Sequence, residues 1–338
     1  MQRRTLQQAF HAVFSAPQTE HPKPIKPKRL QKGDTIGIIA PCYAADRDRM
    51  EAAAKNITAA GFRVRYAEHL FDVGWEYAAD IASRAADFHS MIQDPEVAMI
   101  LFGGGEVCNE LLPYLDYDEI PFHPKILCSY SDSTTLLNAI TSMTGLVTFY
   151  GASPRTFMEE GNGIRDYNFA SFCARLMEPD NRIHIPAAPW RRITSGAGNA
   201  PSQHDTICEG ILTGGYLVNY TALCGLPWFR LDDRASYLLF IEDHEMFSSP
   251  AVVAKWFATL SQHGVFSRTK ALIFGHYAAK PYPIIDDILR RIGDEYRIPI
   301  FRCEDFGHGE NNAVLPIGVR AALDTQNGTL TFLESGVL

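Results

Sequence analysis

The 338-residue chain has no stretch approaching the ~20 consecutive apolar residues that span a bilayer, and no run of Lys and Arg. The first absence excludes a membrane-spanning helix. The second, together with a formal net charge of −8, argues against nucleic acid or an anionic membrane surface as the main partner. One basic cluster, 23–32, is short and broken by proline. Near the start, Gln7, Gln8 and His11 interrupt what would be the apolar core of a secretory signal, so a cytoplasmic location is the expectation. Cysteine is sparse: seven residues, an odd number without C-x-x-C spacing, read as reduced thiols rather than as a disulfide framework or a zinc site.

Three signatures are also missing. The esterase elbow G-x-S-x-G is absent, because Ser129 and Ser133 stand at both glycine positions around Ser131. A dinucleotide fingerprint fails at Cys108, and no Gly-Lys-Ser/Thr follows the glycine triplet Gly103-Gly104-Gly105, which removes the P-loop.

What is there centres on 125–154, KILCSYSDSTTLLNAITSMTGLVTFYGASP. A short apolar run, Ile126 to Cys128, reads as a buried strand. After Ser129-Tyr130-Ser131-Asp132, apolar residues return at helical spacing as Leu136, Leu137, Ile140 and Met143. Strand, sharp turn and helix place a serine at the C-terminal edge of a sheet, where the first N–H groups of the helix face its ligand. Ser131-Asp132-Ser133 is equally good helix-capping sequence, and both readings hold at once.

Residues 1–33 read as a flexible tail with four prolines. Strands over 35–40, 63–67 and 98–102 alternate with helices over 46–60 and 78–93, and the pattern predicts a parallel sheet covered on both faces. Ligands of such sheets bind at the carboxyl ends of the strands, where the glycine triplet and the Ser131 turn both fall. The triplet serves a tight turn, or it lets backbone N–H groups approach a substrate. The expected division is a tail 1–33, an N-terminal α/β domain 34–180, a linker 181–205 rich in Gly and Pro, and a C-terminal domain 206–338. In the last, a strand over 209–212 ends at Gly214-Gly215. A buried strand over 237–241 leads into Glu242-Asp243-His244-Glu245, and a hairpin closes at Asn327-Gly328.

Glu242 is either a helix-capping acid or a functional carboxylate; residues 242–245 alternate sides and do not converge on a metal. His308, between Gly307 and Gly309, has the setting of a general base, with His276 as the rival. Trp190 is a loop anchor or a stacking surface.

Several segments in order resemble one family: GDTIGIIAP at Gly33–Pro41, Gly104-Gly105 followed by LLPYLDYD at Leu111–Asp118, PKILCSYSD at Pro124–Asp132, FYGASP at Phe149–Pro154, Gly214-Gly215, FIED at Phe240–Asp243, and FGHGENNAVLPIG at Phe306–Gly318. The chain is similar to the LD-carboxypeptidases, serine peptidases that include murein tetrapeptide carboxypeptidases and microcin C self-immunity hydrolases. The resemblance implies a doubly wound, mostly parallel N-terminal sheet domain packed on a smaller β-rich α/β C-terminal domain. It also implies a Ser131-His308-Glu242 triad, with an oxyanion hole from Gly104, Gly105 and Asp132 and substrate contacts from Tyr130 and Trp190. No metal or cofactor is implied. The partners implied are a small peptide or aminoacyl-nucleotide substrate and a second copy in a homodimer. A non-catalytic ligand-binding relative is the alternative, motivated by Ser129, which replaces the glycine of the family's G-Y-S-D motif; Ser133 stands where an aliphatic residue is usual.

Overall fold

The computed structural model describes residues 22–74, 76–158, 166–195, 206–244, 249–277 and 283–338. Most of the expected tail, Glu245 and part of the Gly/Pro-rich linker lie outside them. The first sheet is built from β1 (Thr35–Ile39), β2 (Arg63–Tyr66), β3 (Val97–Phe102), β4 (Ile126–Ser129), β5 (Thr148–Tyr150) and β11 (Leu315–Ile317). Their order across the sheet is β11-β5-β4-β3-β1-β2, parallel except for β11. Helices α1 (Arg47–Ala59), α2 (Ile81–Gln93) and α3 (Thr134–Thr144) make the crossovers. Burial of every residue of β1, β4 and β5 follows from cover on both faces.

Helix boundaries follow local chemistry. Asp46 and Asp80 cap α1 and α2, each accepting a backbone N–H three residues on. The inner face of α1 buries Met50, Ala53 and Ile57, spaced for one side of a helix.

The second sheet has the order β13-β12-β7-β8-β9-β10-β6. Its parallel centre is β7 (Ile207–Tyr216), β8 (Tyr237–His244), β9 (Thr269–Tyr277) and β10 (Pro299–Cys303). Antiparallel edges come from β6 (Arg191–Ser195), β12 (Arg320–Asp324) and β13 (Thr329–Phe332). Helices α4 (Asp166–Leu176), α5 (Leu217–Leu223), α6 (Pro250–Gln262) and α7 (Pro283–Tyr296) complete the described elements. No described helix is long and apolar enough to cross a membrane.

Three details depart from expectation. The span expected as linker supplies β6, which pairs with β10. Strand β7 does not stop at Leu212 but continues through Gly214 and Gly215, because β7 runs against the start of α3: a Cβ on Gly215 would strike the Thr134 side chain. Strand β11, too short to register as a pattern, leaves the C-terminal half and closes the edge of the first sheet beside β5.

Candidate active site

The carboxyl ends of β3, β4 and β5 lie at one edge of the first sheet, and β8 of the second sheet ends opposite them. At the end of β4, Tyr130 is extended and Ser131 has φ of +62°. A side chain held in the left-handed region is strained, and such strain accumulates at functional turns. Ser131 carries the unusual dihedral, so position 129 needs no glycine. Ser129 is buried at the end of β4 and donates its hydroxyl to the Phe102 carbonyl, 3.0 Å away.

Ser131 Oγ lies 2.9 Å from His308 Nε2. The other ring nitrogen, Nδ1, lies 2.8 and 2.9 Å from the two carboxylate oxygens of Glu242. Glu242 is fully buried and stands two residues before the end of β8, which continues past the expected 237–241 to His244. Its carboxylate fixes the proton on Nδ1, which leaves Nε2 to accept the Ser131 hydroxyl. Gly307, with φ of +95°, brings the loop over this carboxylate: a Cβ there would overlap the Glu242 side chain. The imidazole is framed by the rings of Tyr130, Tyr216 and His244, at centroid distances of 5.3, 4.8 and 5.8 Å.

A further group is not evident from sequence. Tyr150, buried at the end of β5, donates its hydroxyl to Glu242 Oε1 at 2.6 Å and accepts the Ser131 backbone N–H at 3.0 Å. One phenol thus ties the serine turn to the carboxylate across the two sheets. Thr134 adds a second tie: its hydroxyl donates to the Ser131 carbonyl and accepts the N–H of Tyr216. Tyr150 falls within the FYGASP segment, but nothing in that segment marks its hydroxyl as a partner of the serine turn, and Thr134 lies in none of the family segments.

Asp132 is buried and accepts the Cys108 N–H at 2.7 Å and Asn219 Nδ2 at 2.5 Å. Burial pushes its carboxyl up to about 7, against the opposing pull of these donors. Its own N–H belongs to the first turn after the serine, where helical N–H groups have no intrahelical acceptor. Gly104 and Gly105 form the loop after β3. Gly105 sits so close to the loop after β1 that a Cβ would lie 2.6 Å from the Cys42 Cβ.

Here the reading of all cysteines as reduced is corrected. Cys42 and Cys108 form a disulfide with Cα atoms 4.7 Å apart. They are 66 residues apart in sequence, and only the adjacency of β1 and β3 brings them together, so spacing rules could not reveal the pair. The other five cysteines are not in this disulfide. Asp132 lies close to both sulfurs, but a disulfide leaves no thiolate to bind an ion.

Trp190 donates its indole N–H to Asp305 at 2.6 Å and packs near the rings of His184 and Phe301. His184 shares the same carboxylate at 2.8 Å. The structure therefore places Trp190 as an anchor for the segment leading to His308 and does not bring it to Ser131. His276 lies in β9, with its side chain outside the description.

Two family models match the chain, the LD-carboxypeptidase N-terminal domain over residues 36–151 and the LD-carboxypeptidase C-terminal domain over 209–323. The chain belongs to the LD-carboxypeptidase family. It is 34% identical to the putative carboxypeptidase YocD of Bacillus subtilis, over 89% of this chain and 96% of the relative. It is 30% identical to the probable murein peptide carboxypeptidase of the same organism, over 92% and 95%. The microcin C7 self-immunity protein MccF of Escherichia coli is 28% identical over 92% and 96%. The solved structure of MccF in complex with glutamyl sulfamoyl guanosine superposes with a TM-score of 0.81 at 27% identity, covering 93% of this chain and all of that one. Each family domain carries part of the site: Ser131, Asp132 and Tyr150 in the first, Glu242 and His308 in the second.

Proposed function

We propose that this LD-carboxypeptidase relative is a serine hydrolase that cleaves an amide bond between an L-centre and a terminal D-amino acid in a murein-type peptide. The observation that carries the reading is the unbroken chain of hydrogen bonds from Ser131 Oγ through His308 to Glu242. In this mechanism Ser131 attacks the scissile carbonyl while His308 Nε2 takes its proton. The imidazolium, stabilised by Glu242, returns that proton to the departing amine. The oxyanion is held by N–H groups of Asp132 and of Gly104 or Gly105, a role in which one donor is typically worth about 10²–10³ in kcat. Water then enters and gives a proton to His308 as it attacks the acyl-enzyme ester; the bond to Ser131 Oγ breaks, the shortened peptide leaves with a new carboxylate, and His308 returns the proton to Ser131. Tyr130 flanks the bound substrate, and the protein acts as a homodimer.

A second substrate is favoured by the likeness to MccF, whose solved complex holds glutamyl sulfamoyl guanosine. In that reading the same triad cleaves the bond that joins an aminoacyl group to a nucleotide analogue.

The test is mass-spectrometric detection of D-alanine released from a murein tetrapeptide, with an aminoacyl sulfamoyl adenosine assayed in parallel. Ser131→Ala is expected to lower kcat by about 10⁴-fold or more on whichever substrate is cleaved, with an unchanged circular dichroism spectrum. Full activity of Ser131→Ala would remove the nucleophile assignment, and inertness of the wild type toward both substrates would remove the hydrolase reading.

A further inference from the structure

The site as described holds several carboxylates: Glu242 and Asp132 are buried in it, and Glu106 lies on the glycine loop, accepting the hydroxyl of Tyr43 at 3.0 Å. A peptidase that removes a terminal residue must also recognise a negative charge. Buried Arg84 at this edge is already paired with Glu110, whereas a second cation there is exposed. The strand order puts β5 beside β4, and because the two run parallel, the turn after β5 emerges next to the Ser131 turn. Arg155 occupies that turn.

Its backbone is locked. Ser153 accepts the Arg155 N–H through its hydroxyl at 3.2 Å, while the Ser153 N–H donates to Thr156 Oγ1, a reciprocal capping arrangement after which Phe157 is buried. Asn56 of α1 pins the end of the turn by donating to the Phe157 carbonyl at 2.7 Å. The Arg155 side chain is nevertheless exposed. It donates from Nη1 to the Tyr130 hydroxyl at 3.4 Å, and the Tyr130 ring lies edge-on to His308. No ion pair joins Arg155 to an acidic residue among the described residues. A guanidinium carried on a fixed backbone turn, one strand over from the serine and touching the tyrosine that precedes it, has the fork geometry that pairs with a carboxylate.

We infer that Arg155, with the Tyr130 hydroxyl beside it, is the subsite that binds a carboxylate of the substrate. The assignment rests on the hydrolase reading for its biological meaning, but binding tests it without turnover. Two substrates can supply the group: the terminal carboxylate of a D-amino acid, or an acidic side chain on an aminoacyl-nucleotide analogue.

The experiment is calorimetric titration of Ser131→Ala and of the Ser131→Ala, Arg155→Gln double variant. The ligands are a murein tetrapeptide and its C-terminal amide, and aspartyl and asparaginyl sulfamoyl adenosine. Arg155→Gln is expected to weaken the carboxylate-bearing member of one pair by about ten- to a hundredfold and to leave its neutral partner within a factor of about two, with Arg155→Lys recovering part of the loss. The pair that responds identifies the source of the carboxylate. Equal loss on acid and amide, no loss on either, or no binding of either carboxylate ligand to Ser131→Ala overturns the assignment. Failure of the hydrolase reading shows separately, as wild-type protein that binds the responding ligand and does not cleave it.

Discussion

Ser131 holds a left-handed backbone, and two neighbouring groups secure it. Tyr150 and Thr134 take up its N–H and its carbonyl. Replacing Tyr150 by Phe leaves the ring in place but strands the Ser131 N–H and removes one donor from Glu242. The expected outcome is a fall in kcat of about tenfold or more with KM little changed, and a loss of about 2 kcal/mol in stability by chemical denaturation. An unchanged kcat would show that the phenol only fills space. Asp132 yields a prediction of a different kind. Its carboxyl is raised to about 7 when folded, from an ordinary value near 4 when unfolded, so between these pH values the folded state binds more protons. Its contribution to stability is therefore full below about pH 4 and is lost as pH rises through about 7, roughly 4 kcal/mol in all. Urea midpoints at pH 5 and pH 8 should differ less in Asp132→Asn than in the parent; equal differences would place Asp132 at an ordinary pKa. Of these residues, Ser131, Glu242 and His308 stood out in the sequence as candidates at strand ends beside glycine or polar turn residues, and it was the resemblance to the family that joined them. Tyr150 was not, since a tyrosine closing a short apolar run looks like any core aromatic. Nor was Arg155, whose meaning depends on β5 lying next to β4.

Among the elements, the loops after β1 and β3 form the floor beside the serine turn, and the Cys42–Cys108 bond crosses between them at the point where the strand order reverses. Cys108 also donates its N–H to Asp132. Closing a loop with a sequence separation of 66 residues restricts the unfolded chain by about 4 kcal/mol in the chain-entropy account. Reduction with a dithiol should thus lower Tm by about 5 °C and, by releasing the glycine loop, reduce kcat. Cys42→Ser should show both effects without reductant, while Cys128→Ser should respond to reductant like the parent. A Tm indifferent to reductant would mean that the two sulfurs are not joined in solution. The regular elements themselves were largely readable, since α1 and α2 announce themselves by Asp caps and spaced apolar residues, and β3 by its unbroken apolar run. What escaped was set by partners distant in sequence. Strand β6 exists because β10 offers an edge, β11 because β5 does, and β7 continues through two glycines because α3 lies against it.

At the scale of the whole molecule, the two sheets are stitched rather than merely apposed. Residues 315–324 supply β11 to the first sheet and, after Gly318, β12 to the second. Buried Asn138 of α3 donates to the Gly214 carbonyl at 2.8 Å and accepts the Thr213 hydroxyl at 3.1 Å. The last residue, Leu338, exchanges backbone bonds with Pro27 and Arg29 at the other end of the described chain. Separating the sheets would exchange these bonds for bonds to water, at a net cost of about 0.5–1.5 kcal/mol each, and would open the edge of β5. The serine and the histidine it meets are 177 residues apart, so the site exists only while this seam holds. Calorimetry is therefore expected to give a single transition in which calorimetric and van't Hoff enthalpies agree. In urea, hydrolytic activity should be lost together with helical circular dichroism. Two resolved transitions, or activity lost at a clearly lower denaturant concentration than secondary structure, would show instead that the seam opens first and that the halves are stable units joined by a weak contact.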